Sequence, residues 1–261
     1  MKRILMASLL LVMTILTGCG GIKEPQKIII GLDDEYPPFG FRNEQNEIVG
    51  FDIDLAKETA KRMGVAVEFK PIDWNLKVEE LNSRHIDIIW NGLDITPDRK
   101  ELILYSKPYM DNRQIIFVAK DSGFKIQSPS DLAGKIVGTQ AGSTSEVYIA
   151  QDEKFKNSFH EYKLYDTYKN AFKDLENGAV EVLICDELPA RYEMKRNADK
   201  FEVIEVTIGS VTEIGIGFRK DNTVLRDRVQ KVFDEMVKDG TAKKISEKWF
   251  QADLIKSKRE Y

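Results

Sequence analysis

Cysteine and histidine are nearly absent from this 261-residue chain, which has only Cys19, Cys185, His85 and His160. Cys19 closes an apolar leader, so Cys185 stands alone and no internal disulfide is expected. The two histidines are far apart in sequence and lack metal-ligand spacing, so no metal site is expected. The chain has no P-loop, no Gly-x-Ser-x-Gly elbow and no Gly-x-Gly-x-x-Gly turn, and therefore no cofactor is predicted. Basic residues are not in excess; a formal net charge of −4 argues against nucleic acid as a partner. Beyond the leader, no segment is apolar for long enough to span a bilayer. What is present is ordinary for a globular protein, 42% hydrophobic and 31% charged. About 235 residues follow the leader, enough for one large or two small domains.

The leader itself is informative. Lys2 and Arg3 precede an apolar stretch from Ile4 to Leu16, and Leu16-Thr17-Gly18-Cys19 follows. Its length and flanks fit a secretory signal peptide better than a spanning helix. Leu-Thr-Gly-Cys matches the bacterial lipobox, which predicts a signal peptide at 1–18, cleavage before Cys19 and lipidation (palmitate among the acyl chains) on that cysteine. The bland alternative is a cysteine that happens to end an uncleaved anchor. Several acyl chains on one residue suffice for stable anchoring. Residues 19–26 form the expected lipid-anchored linker, and an extended Gly20–Gln26 reaches about 25 Å at most. The expected location is extracytoplasmic, held at the cell membrane.

Strands and helices then alternate. Ile28 to Leu32 is a β-branched run ended by Asp33-Asp34 and Pro37-Pro38. Asp52 to Met63 carries apolar residues at helical spacing, with Gly64 as a stop signal. Val65 to Lys70 reads as a strand, Asn75 to Ser83 as a helix and Ile86 to Trp90 as a third strand. This βαβαβ order implies an α/β fold with a mostly parallel sheet, and ligands of such sheets sit beyond the carboxyl ends of strands. The pattern returns with a strand at Lys135 to Thr139, a turn at 140–144 and a helix from Ser145 to Gln151. Leu175 to Ile184 echoes Leu81 to Trp90, placing Cys185-Asp186 where Asn91-Gly92 stands. The echo suggests two lobes of like architecture. Arg113 to Lys120 and Glu213 to Lys220 are the expected paired crossovers, with tail helices at Thr223–Val237 and Thr241–Phe250 returning to the first lobe.

Asn91 to Arg99 holds a local conflict. Thr96 suits an N-cap and Pro97 the first helical position. Arg99 then falls in the first turn, where the helix dipole disfavours a cation by up to about 1 kcal/mol. An anion held by the guanidinium and free backbone N–H groups would resolve the conflict. A solvated surface arginine is an equally open reading of this segment alone.

Several motifs are recognisable in order: Ile30-Gly-Leu-Asp-Asp-Glu-Tyr-Pro-Pro-Phe39, Gly50-Phe-Asp-Ile-Asp-Leu-Ala-Lys57, Ile95-Thr-Pro-Asp-Arg99 with Tyr105-Ser-Lys-Pro-Tyr109, Gly138-Thr-Gln-Ala-Gly-Ser143 and Lys244-Ile-Ser-Glu-Lys-Trp-Phe250. On these the chain resembles the polar amino-acid-binding proteins of bacterial ABC importers, solute-binding family 3, over about residues 27 to 250. The resemblance implies a two-lobed, type II periplasmic-binding-protein fold with the ligand in the cleft between lobes. Lobe 1 would comprise 27–115 and 215–261, and lobe 2 would comprise 116–214. By the same resemblance Arg99 grips the ligand α-carboxylate, and backbone N–H groups near Asp94 and Ser143 complete that site. Asp186 takes the α-ammonium with the Gly92 carbonyl. Tyr36 and Trp74 sandwich the side chain, Asp33 reads its charge, and Gln140, Ser143 and Thr144 form the second-lobe contact turn. Two positions depart from the family: Asp94 replaces the usual Ser or Thr, and Asn91 an often small residue. Asp94 either adds a carboxylate beside the ammonium or caps the turn at Ile95-Thr96.

Taken alone, each residue has a plainer reading. Tyr36 and Trp74 would be core aromatics, Asp186 a helix cap, and Asp33-Asp34 turn chemistry. Cys185 would be an inert buried residue, and Asp52 and Asp54 would stabilise a helix dipole outside the pocket. Asp33, Asp94 and Asp186 against Arg99 leave two negative charges in excess, which favours a cationic ligand: arginine, lysine, ornithine or histidine. If the carboxylates share protons instead, glutamine or cystine fits the same fold. The expected partners are a free amino acid, an ABC permease with its ATPase, and the membrane through the lipid anchor. A monomer without enzymatic activity is expected. A cyclohexadienyl-dehydratase-like enzyme and a ligand-sensing domain are the alternatives, the latter disfavoured by a chain that ends soon after Phe250.

Overall fold

The computed structural model describes residues 27–256. The predicted signal peptide, Cys19 and the whole of the predicted linker lie outside the described residues.

The chain opens with β1 (Lys27–Leu32), a hairpin-like trio β2 (Glu35–Tyr36), β3 (Gly40–Arg42) and β4 (Ile48–Val49), and helix α1 (Phe51–Met63). Gly64 ends α1 in the left-handed conformation (φ 69°), the role expected of a glycine after a helix. β5 (Ala66–Pro71), a 3-10 turn at Trp74–Leu76 and α2 (Lys77–Asn82) follow, then β6 (Ile88–Ile89), α3 (Pro97–Leu102) and β7 (Leu104–Tyr105). β8 (Met110–Ala119) crosses to the second lobe, built from β9 (Ile136–Gln140), α4 (Thr144–Gln151), α5 (Glu153–Ser158), β10 (Glu161–Tyr165), α6 (Tyr168–Glu176), β11 (Val182–Asp186) and α7 (Glu187–Arg196). β12 (Phe201–Ile214) crosses back, and β13 (Gly217–Phe218), α8 (Thr223–Lys238) and α9 (Thr241–Phe250) complete the first lobe.

Two five-stranded sheets result, ordered β5-β1-β6-β13-β7 and β10-β9-β11-β8-β12. β1 runs parallel to β5 and β6, and β9 parallel to β10 and β11. The antiparallel members are β13 in the first sheet and β8 and β12 in the second. β6 and β11 are thus the central strands of their sheets, as the echo between their sequences suggested. Ile28, Ile30 and Leu32, which share one face of β1, are buried, and Ile29 on the other face is partly so.

The crossover ribbon departs from expectation. β8 pairs with Phe201–Ile214, not with Glu213–Lys220; Gly217–Phe218 instead enters the first sheet between β6 and β7. Register shifts between Ile204 and Thr207 and between Ile208 and Thr212 break the two-residue period of β12, which hid it from pattern reading. The Ile86–Trp90 strand also shrinks to Ile88–Ile89. Ile86 packs where a side chain on Gly31 would otherwise sit, its Cδ1 2.4 Å from that Cβ position. α8 and α9 pack on α1, where Arg62 bonds Asp239 (2.6 Å) and Thr241 (2.9 Å).

Candidate functional site

The carboxyl ends of the two central strands face each other across a narrow cavity of about 10 Å³. Asp33, Tyr36, Trp74, Gly92, Asp94 and Arg99 line it from the first lobe, and Gln140, Ser143, Thr144 and Asp186 from the second. Asn91, the remaining predicted site residue, is fully buried behind it. Its Oδ1 accepts the Asp33 backbone N–H at 3.0 Å, so it supports the wall without lining it.

Thr96 and Pro97 start α3 as expected, the Thr96 hydroxyl accepting the Arg99 N–H at 3.4 Å. That helix has six residues, too few for a strong dipole, so an anion site must come from the arginine side chain. Arg99 is 8% exposed, which removes the surface-arginine reading. Its guanidinium donates to the Asp94 carbonyl (3.2 Å), the Thr144 hydroxyl (3.2 Å) and the Gly142 carbonyl (2.9 Å). The last two belong to the second lobe, so Arg99 bridges the cleft. The backbone N–H groups expected beside it are engaged: Ile95 donates to the Glu213 carbonyl (2.7 Å), and Ser143 closes its turn on Gln140 (3.3 Å).

Three carboxylates occupy the cavity, and every hydrogen bond described for them comes from a neutral donor. Asp33 accepts the Glu35 N–H (2.8 Å) and the Gln140 amide from the other lobe (2.7 Å). Burial pushes its pKa up to about 6. Asp186 stands at the N-cap position of α7 yet makes no side-chain cap bond. Its carboxylate turns into the cavity, taking the Tyr36 hydroxyl and the amides of Asn112 and Gln114. Asp94 accepts Asn112 (2.9 Å) and Thr212 (2.8 Å) on one oxygen and Gln114 (3.4 Å) on the other. Burial and then the neighbouring Asp186 raise its pKa to about 6, against the pull of Arg99. Of the two roles open for Asp94, the carboxylate shares two amides with Asp186, and no bond to the Ile95-Thr96 turn is made.

Tyr36 lies between Phe39 (centroids 5.6 Å apart) and Tyr168 (6.0 Å), so its hydroxyl, and not a free ring face, is what it offers. Trp74 is 8% exposed and joins the core of Leu81, Ile86 and Ile103, combining core packing with a place in the cavity wall. Ser143 caps α4 through the Glu146 N–H (3.1 Å). Cys185 is buried, and burial raises its thiol pKa well above the ordinary value.

Sequence reasoning missed several residues. Asp52, in the first turn of α1 and outside the cavity lining as expected, is fully buried; it accepts the Gly92 N–H (2.7 Å) and the Tyr109 hydroxyl (2.8 Å), with a pKa raised by burial to about 7. It fixes the loop that carries the Gly92 carbonyl, at φ 60°. Asn112 and Gln114 are buried polar residues two apart at the start of β8, alternating with the exposed Asp111 and the half-buried Arg113; that spacing was the available signal. Lys77 is also buried. It donates to the Trp74 carbonyl (3.0 Å) and across the cleft to the Gly142 carbonyl (2.8 Å), and burial lowers its pKa well below the usual value. The charge count made from the sequence omitted it. Among the described residues no group of three or more His, Cys, Asp or Glu could hold a metal ion.

Over residues 28–252 the chain matches the family described as bacterial extracellular solute-binding proteins, family 3. The L-cystine-binding protein TcyJ of Escherichia coli (strain K12) is 32% identical over 235 residues, covering 90% of this chain and 86% of TcyJ. ABC transporter arginine-binding protein 1 of the same strain is 32% identical over 257 residues, 96% of this chain and 99% of its own. Among solved structures, an ABC uptake transporter substrate-binding protein from Streptococcus pneumoniae with bound histidine superposes with a TM-score of 0.83 at 35% identity. That match covers 89% of this chain and 95% of the other.

Proposed function

The chain belongs to the bacterial extracellular solute-binding proteins, family 3, and from that premise we propose that it captures a polar, basic L-amino acid by hinge closure and delivers it to an ABC permease. One observation carries the choice of ligand: three buried carboxylates line a cavity whose lining cation is Arg99, with Lys77 beside it on the Gly142 carbonyl, and they are hydrogen-bonded only by neutral groups. An amino-acid carboxylate would take Arg99 from the Gly142 carbonyl while Thr144 stays in place. The α-ammonium would meet Asp186 and the Gly92 carbonyl, and a side-chain cation would reach Asp33 and Gln140 beside Trp74. A cation on that ring adds about 0.5–2 kcal/mol. The moving units in this reading are 27–115 with 215–261, and 116–214. The arginine-binding relative and the histidine-bound structure support the basic ligand.

A second reading has its own support. Asp33 and Asp94 titrate near 6, so a cavity with both protonated loses its excess charge and suits a ligand of no net charge. Cystine is the first candidate, given TcyJ. In either case the site captures its ligand without chemical turnover, as the names of the relatives as binding proteins suggest. Anchoring through a lipidated Cys19 is part of the proposal; Cys19→Ser should move the protein from the membrane fraction to the soluble one. The ligand is tested by titration calorimetry with arginine, lysine, ornithine, histidine, glutamine, cystine and glutamate. Tight binding of a basic amino acid is expected, and binding of glutamate alone would overturn the reading.

A further inference from the structure

The crossover ribbon carries two successive cross-strand pairs, whose side chains leave by opposite faces because a strand repeats every two residues. Asn112 lies opposite Thr212, and both donate to Asp94 on the cavity side. Asp111 lies opposite Glu213 on the outer side. Two carboxylates directly opposite on an antiparallel pair repel, and these two sit on the ribbon about which one lobe turns on the other.

Lys256 lies between them. Its Nζ is 2.7 Å from Asp111 Oδ1 and also bonds Glu213 Oε1. The side chain of Lys256 is 23% exposed, while its partners are 63% and 45% exposed. The segment that brings it there is anchored to the first lobe. The Ser246 hydroxyl of α9 donates to the Ala252 carbonyl (2.8 Å) and accepts the Leu254 N–H (2.9 Å). Leu254 and Ile255 pack against the main core, and the Lys256 N–H donates to the Tyr109 carbonyl (2.9 Å). Leu188 and Arg191 of α7, from the second lobe, line the same groove as this segment. Residues 251–256 therefore run along the hinge, and Lys256 joins both crossover strands.

We infer that Lys256 is a positioning residue for ligand capture: its ammonium neutralises the Asp111–Glu213 pair and holds the ribbon in the geometry that brings the lobes together. Without it, repulsion between the two acids biases the ribbon away from the closed form, and every ligand loses affinity by the same factor, because no ligand touches the residue. The inference rests on capture by closure as proposed above. Pairs between exposed groups are individually weak, so the expected factor is modest.

The test measures affinities of arginine and histidine by calorimetry, and small-angle scattering of the ligand-free protein, for the wild type, Lys256→Ala, Lys256→Arg and the triple variant Lys256→Ala/Asp111→Asn/Glu213→Gln. Lys256→Ala should weaken both ligands by about 3- to 10-fold and by the same factor. Lys256→Arg and the triple variant should return to within about twofold of the wild type. An unchanged affinity, a loss confined to one ligand, or a loss the triple variant does not repair overturns the inference. If the wild type binds no amino acid at all, the functional proposal fails, and scattering alone decides the hinge role. A larger radius of gyration for Lys256→Ala supports it, and an equal radius rejects it.

Discussion

Arg99 donates to two carbonyls and a hydroxyl, all weaker partners for a guanidinium than a carboxylate. In the proposed reading a ligand carboxylate is the missing strong partner, so Arg99→Ala should weaken every amino acid by about 100-fold or more, the cost of truncating one side of a buried charged pair. Calorimetry with near-normal affinity for this variant would place the anion elsewhere. Asp33 and Asp94 supply the matching pH dependence. Burial raises both to about 6 and Asp52 to about 7, so each is held more readily in its protonated form when folded. The stability these groups confer on the ligand-free protein is therefore fully present below their ordinary value of 3.8 and lost as pH rises through about 6 to 7. A cationic ligand favours the ionised forms of Asp33 and Asp94. Its binding near pH 6 should release protons, and its affinity should fall as the solution is acidified. Calorimetry in buffers of different ionisation enthalpy measures both effects, and Asp33→Asn should remove part of each. An affinity that rises on acidification would contradict the cationic reading. Asp33 and Asp186 were legible because strand ends announce themselves in sequence, and Arg99 because Thr96-Pro97 marks a helix start where a cation is out of place. Lys77 and Asp52 were not, since helix-borne charged residues are ordinarily exposed and only tertiary packing buries them.

At the level of elements, the turn between β9 and α4 is one place where the lobes meet, its Gly142 carbonyl taking Lys77 and Arg99. Gly142 has φ 73°, and a Cβ there would lie 2.8 Å from the Asn75 Cα of the opposite lobe. Gly134 in the same lobe has φ 75° and nothing within 4 Å of its Cβ position. Gly→Ala at either position carries the same left-handed strain, about 1–2 kcal/mol, but only Gly142→Ala meets backbone across the cleft. Both variants should lose similar stability in thermal melts, while Gly142→Ala alone loses affinity, by about tenfold or more if the clash costs about 1.4 kcal/mol of closure. Equal affinities would mean that closure does not bring the lobes this near. The turn itself was readable from Gln140 to Thr144, and so was the α3 start at Thr96-Pro97. The crossover strand β12 was not. Gly209 at φ 71° and two register shifts interrupt its alternation, so the periodicity that marks a strand is missing where the hinge bends.

For the molecule as a whole, one apolar cluster continues from the first sheet into the second, with Tyr36 stacked on Tyr168 across the lobes, and polar contacts join the lobes beside it. Arg99 and Lys77 reach the Gly142 carbonyl, Gln140 reaches Asp33, and Lys169 and Thr167 reach Glu35. In the proposed reading the cleft between the lobes opens, and its closed form gains stability from whatever lies between them. A ligand that binds only the folded, closed protein adds about 2.7 kcal/mol at 100 times its dissociation constant. For a chain of this size each kcal/mol is worth about 2–4 °C. A basic amino acid at that concentration should therefore raise the melting temperature by roughly 5–11 °C, with a single transition replacing any separation between lobes. The same ligand should shrink the radius of gyration, because closure and stabilisation have one cause. A rise in melting temperature without compaction would mean that the ligand sits on one lobe alone, and the contacts from Gln140, Thr144 and Asp186 would then have no part in holding it.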